Sequence, residues 1–377
     1  MTSIRKLAGR LIALSAMTAA TAVAQGIGGL PVNTEDPPTR QGTRGANFLH
    51  IPIGARGNAM GGAIGSTVTG STAWFWNPAG AATIESFAIA MGRQNLYGDL
   101  GITQSYAAVS FPMFGGAIGV AVNSLNSGDI PLTLEGTPFG DAASGQFFSW
   151  TSTAASAGFA KRLTDRLDVG GSLKYVSEGI KQIKSTWISA DVGTQFRTGL
   201  FGLVLGGSLM SVGNAAAMNG PGLERGVNTN DVSLQQTRFK LLTRPVDLPT
   251  TFRFSAGDDL YGSAESLLGR GSGQHTVYGE FAVTDAVDAA ASLGLGVEYG
   301  FKNRFFGRIG KKMYNDERSA ESNQGGGFLY SKGMHGTSLG GGVRLMVNGR
   351  PFRFDYSFTA LGDLRDIQVF SLEFGGR

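Results

Sequence analysis

The chain of 377 residues is long enough for one large domain or two ordinary ones, and it combines 59 glycines and 24 phenylalanines with only 16% charged residues and no cysteine. The missing cysteine excludes a disulfide scaffold, a thiolate metal centre and a lipidated-cysteine anchor, and three histidines (His50, His275, His335) leave little for a multi-histidine metal site. The net charge is +4, with 42% hydrophobic residues, which excludes both disorder and the concentrated basic face that nucleic-acid binding requires.

Residues 1–24 read as a cleavable signal peptide. Arg5, Lys6 and Arg10 precede the apolar run Leu11–Thr21, and Ala22-Val23-Ala24 has the small-x-small pattern of a cleavage site. A transmembrane anchor is the competing reading, but eleven apolar residues are too short for a spanning helix. Without this segment, basic and acidic residues nearly balance, 29 against 28.

Residues 25–85 form an N-terminal segment expected to lie in the periplasm or in a lumen. Gln25–Gln41 is rich in Gly, Pro and polar residues. Gly54, Ala55, Arg56, Met60 and Gly61 then belong to a stretch of small residues suited to close packing, and Trp76-Asn77-Pro78-Ala79-Gly80 follows. Asn77 is placed to cap a short helix that begins at Pro78.

From residue 86 to 377 the pattern alternates with period two, the mark of strands with one apolar and one polar face. Fourteen candidate strands begin near Ser86, Gly101, Phe114, Ser149, Arg166, Lys184, Phe201, Leu248, Gln274, Ala291, Arg304, His335, Pro351 and Asp366. A soluble sandwich would turn the apolar face inward. An outer-membrane barrel turns it to lipid, and segments of about ten residues suit that span. The longest connections, 125–148, 212–247 and 315–334, fall third, seventh and eleventh, all at one end of such a barrel. The fold expected is therefore all-β, a 14-stranded antiparallel transmembrane barrel with a small N-terminal plug containing a short helix.

On that reading the inward charges are Asp168, Lys174, Asp191, Arg197, Arg253, Glu280, Glu298, Arg308, Arg344, Arg353 and Asp355. A paired luminal network is expected, because an unpaired buried charge costs several kcal/mol. Tyr97, Trp150, Trp187, Tyr278, Tyr299 and Tyr330, near strand ends, are read as including interfacial girdle residues. The glycines Gly294, Gly296 and Gly300 lie within one strand and lack the following helix that a nucleotide loop needs; they are assigned to a crowded lumen. Calcium binding around Asn228–Asp231 is weighed against an ordinary acidic loop, which is preferred. No catalytic, cofactor-binding or metal-binding residues are assigned: His275 and His335 stand at strand starts with no nucleophile in sight.

The two N-terminal motifs carry a resemblance. Phe48, Leu49, Ile51, Gly54, Ala55, Arg56, Met60, Gly61 and Ala63, followed by Trp76 to Gly80, match the pattern of PorV/PorQ-type outer-membrane proteins, relatives of the FadL-like barrels. The match covers about thirty residues. It departs at Gly65–Thr72, where family members often carry an acidic pair, and at the C-terminus, where Phe374 stands three residues from the end. The resemblance implies a non-enzymatic barrel that binds secreted cargo and hands it to a surface sortase in a type IX-like pathway. The alternative it implies is FadL-like passive transport of small hydrophobic molecules. A continuous apolar tunnel would favour transport; a sealed, ionically crosslinked lumen beneath apolar loops would favour cargo binding.

Overall fold

The computed structural model describes residues 42–132, 146–180, 182–226, 238–269, 271, 273–315 and 336–376. The signal-peptide expectation, His335, Tyr330 and the Asn228–Asp231 loop lie outside them.

Fourteen strands of 9–15 residues close into one antiparallel barrel. They are β1 (Ala88–Leu96), β2 (Ile102–Met113), β3 (Gly116–Asn126), β4 (Thr151–Arg162), β5 (Leu167–Ile180), β6 (Ile183–Arg197) and β7 (Val204–Gly213), then β8 (Thr251–Tyr261), β9 (His275–Ala286), β10 (Ala289–Phe301), β11 (Phe305–Tyr314), β12 (Thr337–Val347), β13 (Arg350–Ala360) and β14 (Asp366–Gly375). Each strand pairs with its neighbours in sequence, and β1 closes on β14 from Ala88↔Gly375 to Leu96↔Ile367. Closure leaves no unpaired edge, which lipid does not tolerate. Every strand begins within three residues of its expected position. The end where β1 starts and β14 finishes also holds the tight connections 114–115, 302–304 and 348–349, and we call it the short-turn end. The three longest connections lie at the other end, the extracellular side of single-chain outer-membrane barrels, while one longer connection, 262–274, departs from the rule and lies at the short-turn end.

The period-two pattern sorts the side chains as expected. Val120, Leu173, Ile188 and Val192 are 55–68% exposed, while Asp191, Gln195 and Asp168 are at most 3% exposed. Among the described residues no helix is long and apolar enough to cross a membrane. A closed barrel with an apolar exterior and a charged interior is built for lipid, and the soluble-sandwich alternative falls away.

The lumen holds residues 42–87. Gly45 donates its backbone N–H to Asp247 O (3.0 Å) in the seventh connection, and His50 Nε2 meets Asp288 Oδ1 at 2.9 Å in the ninth. The described segment thus starts at the long-loop end, whereas Glu85 N bonds Gly376 O at the short-turn end. It contains two short helices, α1 (Ala55–Ala59) and α2 (Ala73–Trp76), and a 3-10 turn, Pro78–Thr83. Asn77 caps that turn: its Oδ1 accepts from Ala79 N at 3.2 Å.

The plug core consists of Met60, Ile64, Val68, Trp74, Trp76 and Ile84 against wall alanines at 88, 108, 117, 121 and 160. Bulky residues come from the plug and small ones from the wall, since the barrel's inside diameter limits how much the two can add up to. Gly193 shows why: a Cβ there would collide with Asn77 Oδ1. Gly61, at φ +63°, lies with its own Cβ position 2.8 Å from the Lys311 backbone and meets both demands for glycine, left-handed backbone and close approach.

Candidate functional site: plug, ionic lumen and cavity

Three groups of inward charges tie the lumen together. The largest starts on the plug. Arg56 Nε lies 3.0 Å from Glu298 Oε2, which also receives Arg308 Nε at 2.5 Å; Arg308 Nη1 reaches Asp355 Oδ1 at 2.6 Å. Arg353 then pairs with Asp355 (2.6 Å) and with Glu373 (3.1 Å), and Thr72 of the plug donates to Glu373 at 3.2 Å. Three guanidiniums and three carboxylates balance, so the buried network carries no net charge. It crosses β12 because Gly340 and Gly342 leave no side chain in the way; a Cβ at Gly342 would touch both Asp355 and Arg308.

The second group is centred on Asp191, which holds Lys174 Nζ at 3.0 Å and accepts from Ser172 Oγ (2.9 Å) and Ser211 N (2.7 Å). Ser211 sits at φ +60° beside the register shift between β6 and β7, and the carboxylate satisfies the amide that the irregular pairing frees. The third group, Arg162 and Arg197 on Asp168, lies at the short-turn end. Arg344 stands apart from all three: it bonds Asn303 Oδ1 and lies over the Phe306 ring at the short-turn rim.

Polar wall groups pin the plug elsewhere. Glu280 accepts from Ser66 N (2.7 Å), Thr67 Oγ1 (2.6 Å) and Tyr278 OH (2.8 Å). The plug stretch Gly65–Thr72, which contains no acidic residue, thus receives a carboxylate from the wall. Asn77 Nδ2 donates to Gly65 O and Thr194 O, both at 2.9 Å. Gly294 and Gly296 face Gly61 O and Met60 O, where a Cβ would sit 2.5–2.6 Å away, as the crowded-lumen reading expects.

Two girdle assignments are corrected. Trp187 is 1% exposed and points into the lumen, with its indole N–H donating to Val246 O at 2.9 Å. Tyr278 also faces inward, onto Glu280. Each was placed by nearness to a strand end, whereas its phase was the telling signal: Trp187 alternates with outward Ile188, and Tyr278 shares the phase of Glu280. Tyr299 does face outward, 43% exposed, and bonds His275.

The sequence reading missed a cavity of about 280 Å³ on the long-loop side of the plug. Its plug face is Ile51, Ile53, Trp74, Phe75 and Trp76; its wall is built from Ala282, Ala286, Ala289, Ala290 and Gly294, with Met210, Lys174, Arg253, Thr284, Ser292 and Lys312 around them. Small wall residues opposite an aromatic plug leave the space. Beneath it the lumen is filled by the plug core and the ionic network, and all fourteen strands are paired to both neighbours. His/Cys/Asp/Glu groups able to hold a metal ion are absent among the described residues.

No protein-family model matches the chain, and no curated protein matches it by sequence. Among solved structures it is similar to the Pseudomonas putida toluene transporter TodX, at 10% identity and TM-score 0.50, covering 85% of this chain and 96% of that one. It is also similar to the Ralstonia pickettii toluene transporter TbuX, at 12% identity and TM-score 0.47, covering 85% and 97%. The TodX likeness shows a shared barrel fold.

Proposed function

We propose that this chain is an outer-membrane barrel that admits small hydrophobic or amphipathic molecules, with the cavity as the loading site and the plug as the gate. The observation that carries the reading is the open cavity of about 280 Å³ between an aromatic plug face and small wall residues. Sites for small organic molecules are concave and mostly apolar, with a few placed polar groups. The toluene transport named for TodX fits a site of this size and lining. Because the plug core and the ionic network occupy the lumen below the cavity, the plug is the moving part: solute passes when some of residues 42–87 leave the wall.

PorV-like delivery of secreted cargo to a sortase rests on the two N-terminal motifs alone. The ionically closed lower lumen agrees with it, but nothing else supports it, and the cavity has no part in it.

The test is binding of naphthalene to the full chain in detergent, followed by quenching of tryptophan fluorescence, since Trp74 and Trp76 line the site. Saturable quenching is expected, and Ala286→Phe, which fills the wall side, abolishes it. Absence of saturable quenching, with secreted proteins co-purifying from solubilised membranes instead, would return the reading to cargo delivery.

A further inference from the structure

The cavity is not electrically neutral. None of its lining residues is Asp or Glu, whereas Lys174, Arg253 and Lys312 all border it. Lys174 is committed to Asp191. The other two cations are not: among the described residues neither Arg253 nor Lys312 forms an ion pair. Arg253 donates Nε to Thr284 Oγ1 (3.3 Å) and Nη1 to Trp76 O (3.0 Å) and lies 4.8 Å from the Trp76 ring centre, which leaves Nη2 without a partner. Lys312 Nζ has only the face of Tyr314, 5.1 Å from the ring centre.

Their placement follows from strand register. Arg253, Thr284, Ser292 and Tyr314 lie opposite one another in a single row across β8 to β11, and Ser255, Ala282, Gly294 and Lys312 form the adjoining row. With strands ~4.8 Å apart and the two rows offset by ~7 Å, the two positions stand roughly 16 Å apart along the same arc of wall. Hydroxyls and small residues fill the interval. The cations of the three ionic groups meet carboxylates directly, whereas Arg253 has Glu280 only at longer range than an ion pair, and a half-buried guanidinium with no carboxylate in contact lacks the partner that ordinarily stabilises it.

We infer that the cavity selects compact organic anions, an aromatic carboxylate being the best fit, over neutral hydrocarbons of the same shape. The carboxylate receives the free Nη2 of Arg253, with Lys312 adding attraction across the arc, and the ring lies against Ile51, Ile53 and Phe75 of the plug. The closed floor limits the occupant to a compact body rather than a long chain. Arg253 and Lys312 are thus specificity-determining residues. This inference rests on the small-molecule reading of the cavity.

The experiment compares 2-naphthoate with its neutral isostere 2-naphthamide, each titrated into the detergent-solubilised full chain at pH 7 and read by tryptophan quenching. The carboxylate is expected to bind at least about tenfold more tightly, since a hydrogen bond to a charged group contributes more than a neutral one. Arg253→Gln should remove most of that preference and Lys312→Gln a smaller part, while Arg253→Lys retains it in part. Heat-modifiable migration on gels establishes that each variant is a folded barrel. Equal binding of acid and amide, or a preference that survives both glutamine substitutions, overturns the anion inference and leaves the small-molecule reading intact. Binding of neither compound overturns that underlying reading.

Discussion

Arg56→Gln isolates the plug's ionic attachment to the wall. The substitution removes one guanidinium from a balanced network of three and three, leaving it one negative charge in excess. Breaking a buried pair costs about 3–5 kcal/mol when the remaining charge has no other partner. Here Glu298 keeps Arg308 at 2.5 Å, and the Arg56 and Glu298 side chains are 16% and 14% exposed, so about 2–3 kcal/mol is the expected loss of docking energy. At ~1.4 kcal/mol per factor of ten, the population with α1 detached should rise roughly 30- to 150-fold. The chain has no cysteine, so a single Met60→Cys reporter, at a position 0% exposed, gives an unambiguous maleimide signal. When opening and closing are fast against labelling, the rate follows the open population. The rate in the Arg56→Gln background should exceed that of the parent by the same factor, with Arg56→Lys between them because lysine keeps the charge without the fork. Rates within twofold of each other would refute the claim that this pair holds the plug.

Three further outcomes follow from the packing. Gly310→Ala places a Cβ against Gly61 N and the Met60 carbonyl carbon, so the variant should yield barrels with a displaced plug, seen as fast Met60→Cys labelling at unchanged gel mobility. Trp187→Ala empties a buried site and removes one of the two donors to Val246 O, which keeps Ala216 N; a loss of about 3–5 kcal/mol is expected from the cavity, read as a lower unfolding midpoint in denaturant. Were Trp187 a lipid-facing girdle residue, the midpoint would barely move. Glu280→Gln loses a charge-assisted acceptor for Ser66 N and Thr67 Oγ1, and backbone amide exchange at Ser66 and Thr67 should accelerate by about tenfold or more.

How much was legible in the sequence depends on how local the determining physics is. Alternation is a property of neighbours, so Phe352, Phe354, Tyr356 and Phe358 declared an outward face, and Arg353 and Asp355 an inward one, without knowledge of the partner strands. The cap at Asn77 was equally local. The direction of the plug was not, because it is fixed by contacts such as Gly45 with Asp247 and His50 with Asp288, some two hundred residues apart. The partners of the inward charges were also hidden: Arg308 reaches Asp355 only because Gly340 and Gly342 on the strand between them carry no side chain. The cavity was least legible of all. Its wall alanines read as ordinary small strand residues until the aromatic face of the plug is set opposite them, and Arg253 was taken as one more member of a paired network.

Transport requires the plug to move for solute to pass, and a reversible clamp tests that requirement. Ser71 Oγ and Ser110 Oγ are 2.9 Å apart across the plug–wall contact, so Ser71→Cys with Ser110→Cys can form a disulfide in a chain that otherwise lacks cysteine. In liposomes reconstituted with the doubly substituted protein, uptake of labelled 2-naphthoate should be blocked when oxidised and restored by reductant to the rate of the cysteine-free chain. Equal uptake in the oxidised and reduced states would contradict the gate, and uptake no faster than in protein-free liposomes under both conditions would contradict transport itself.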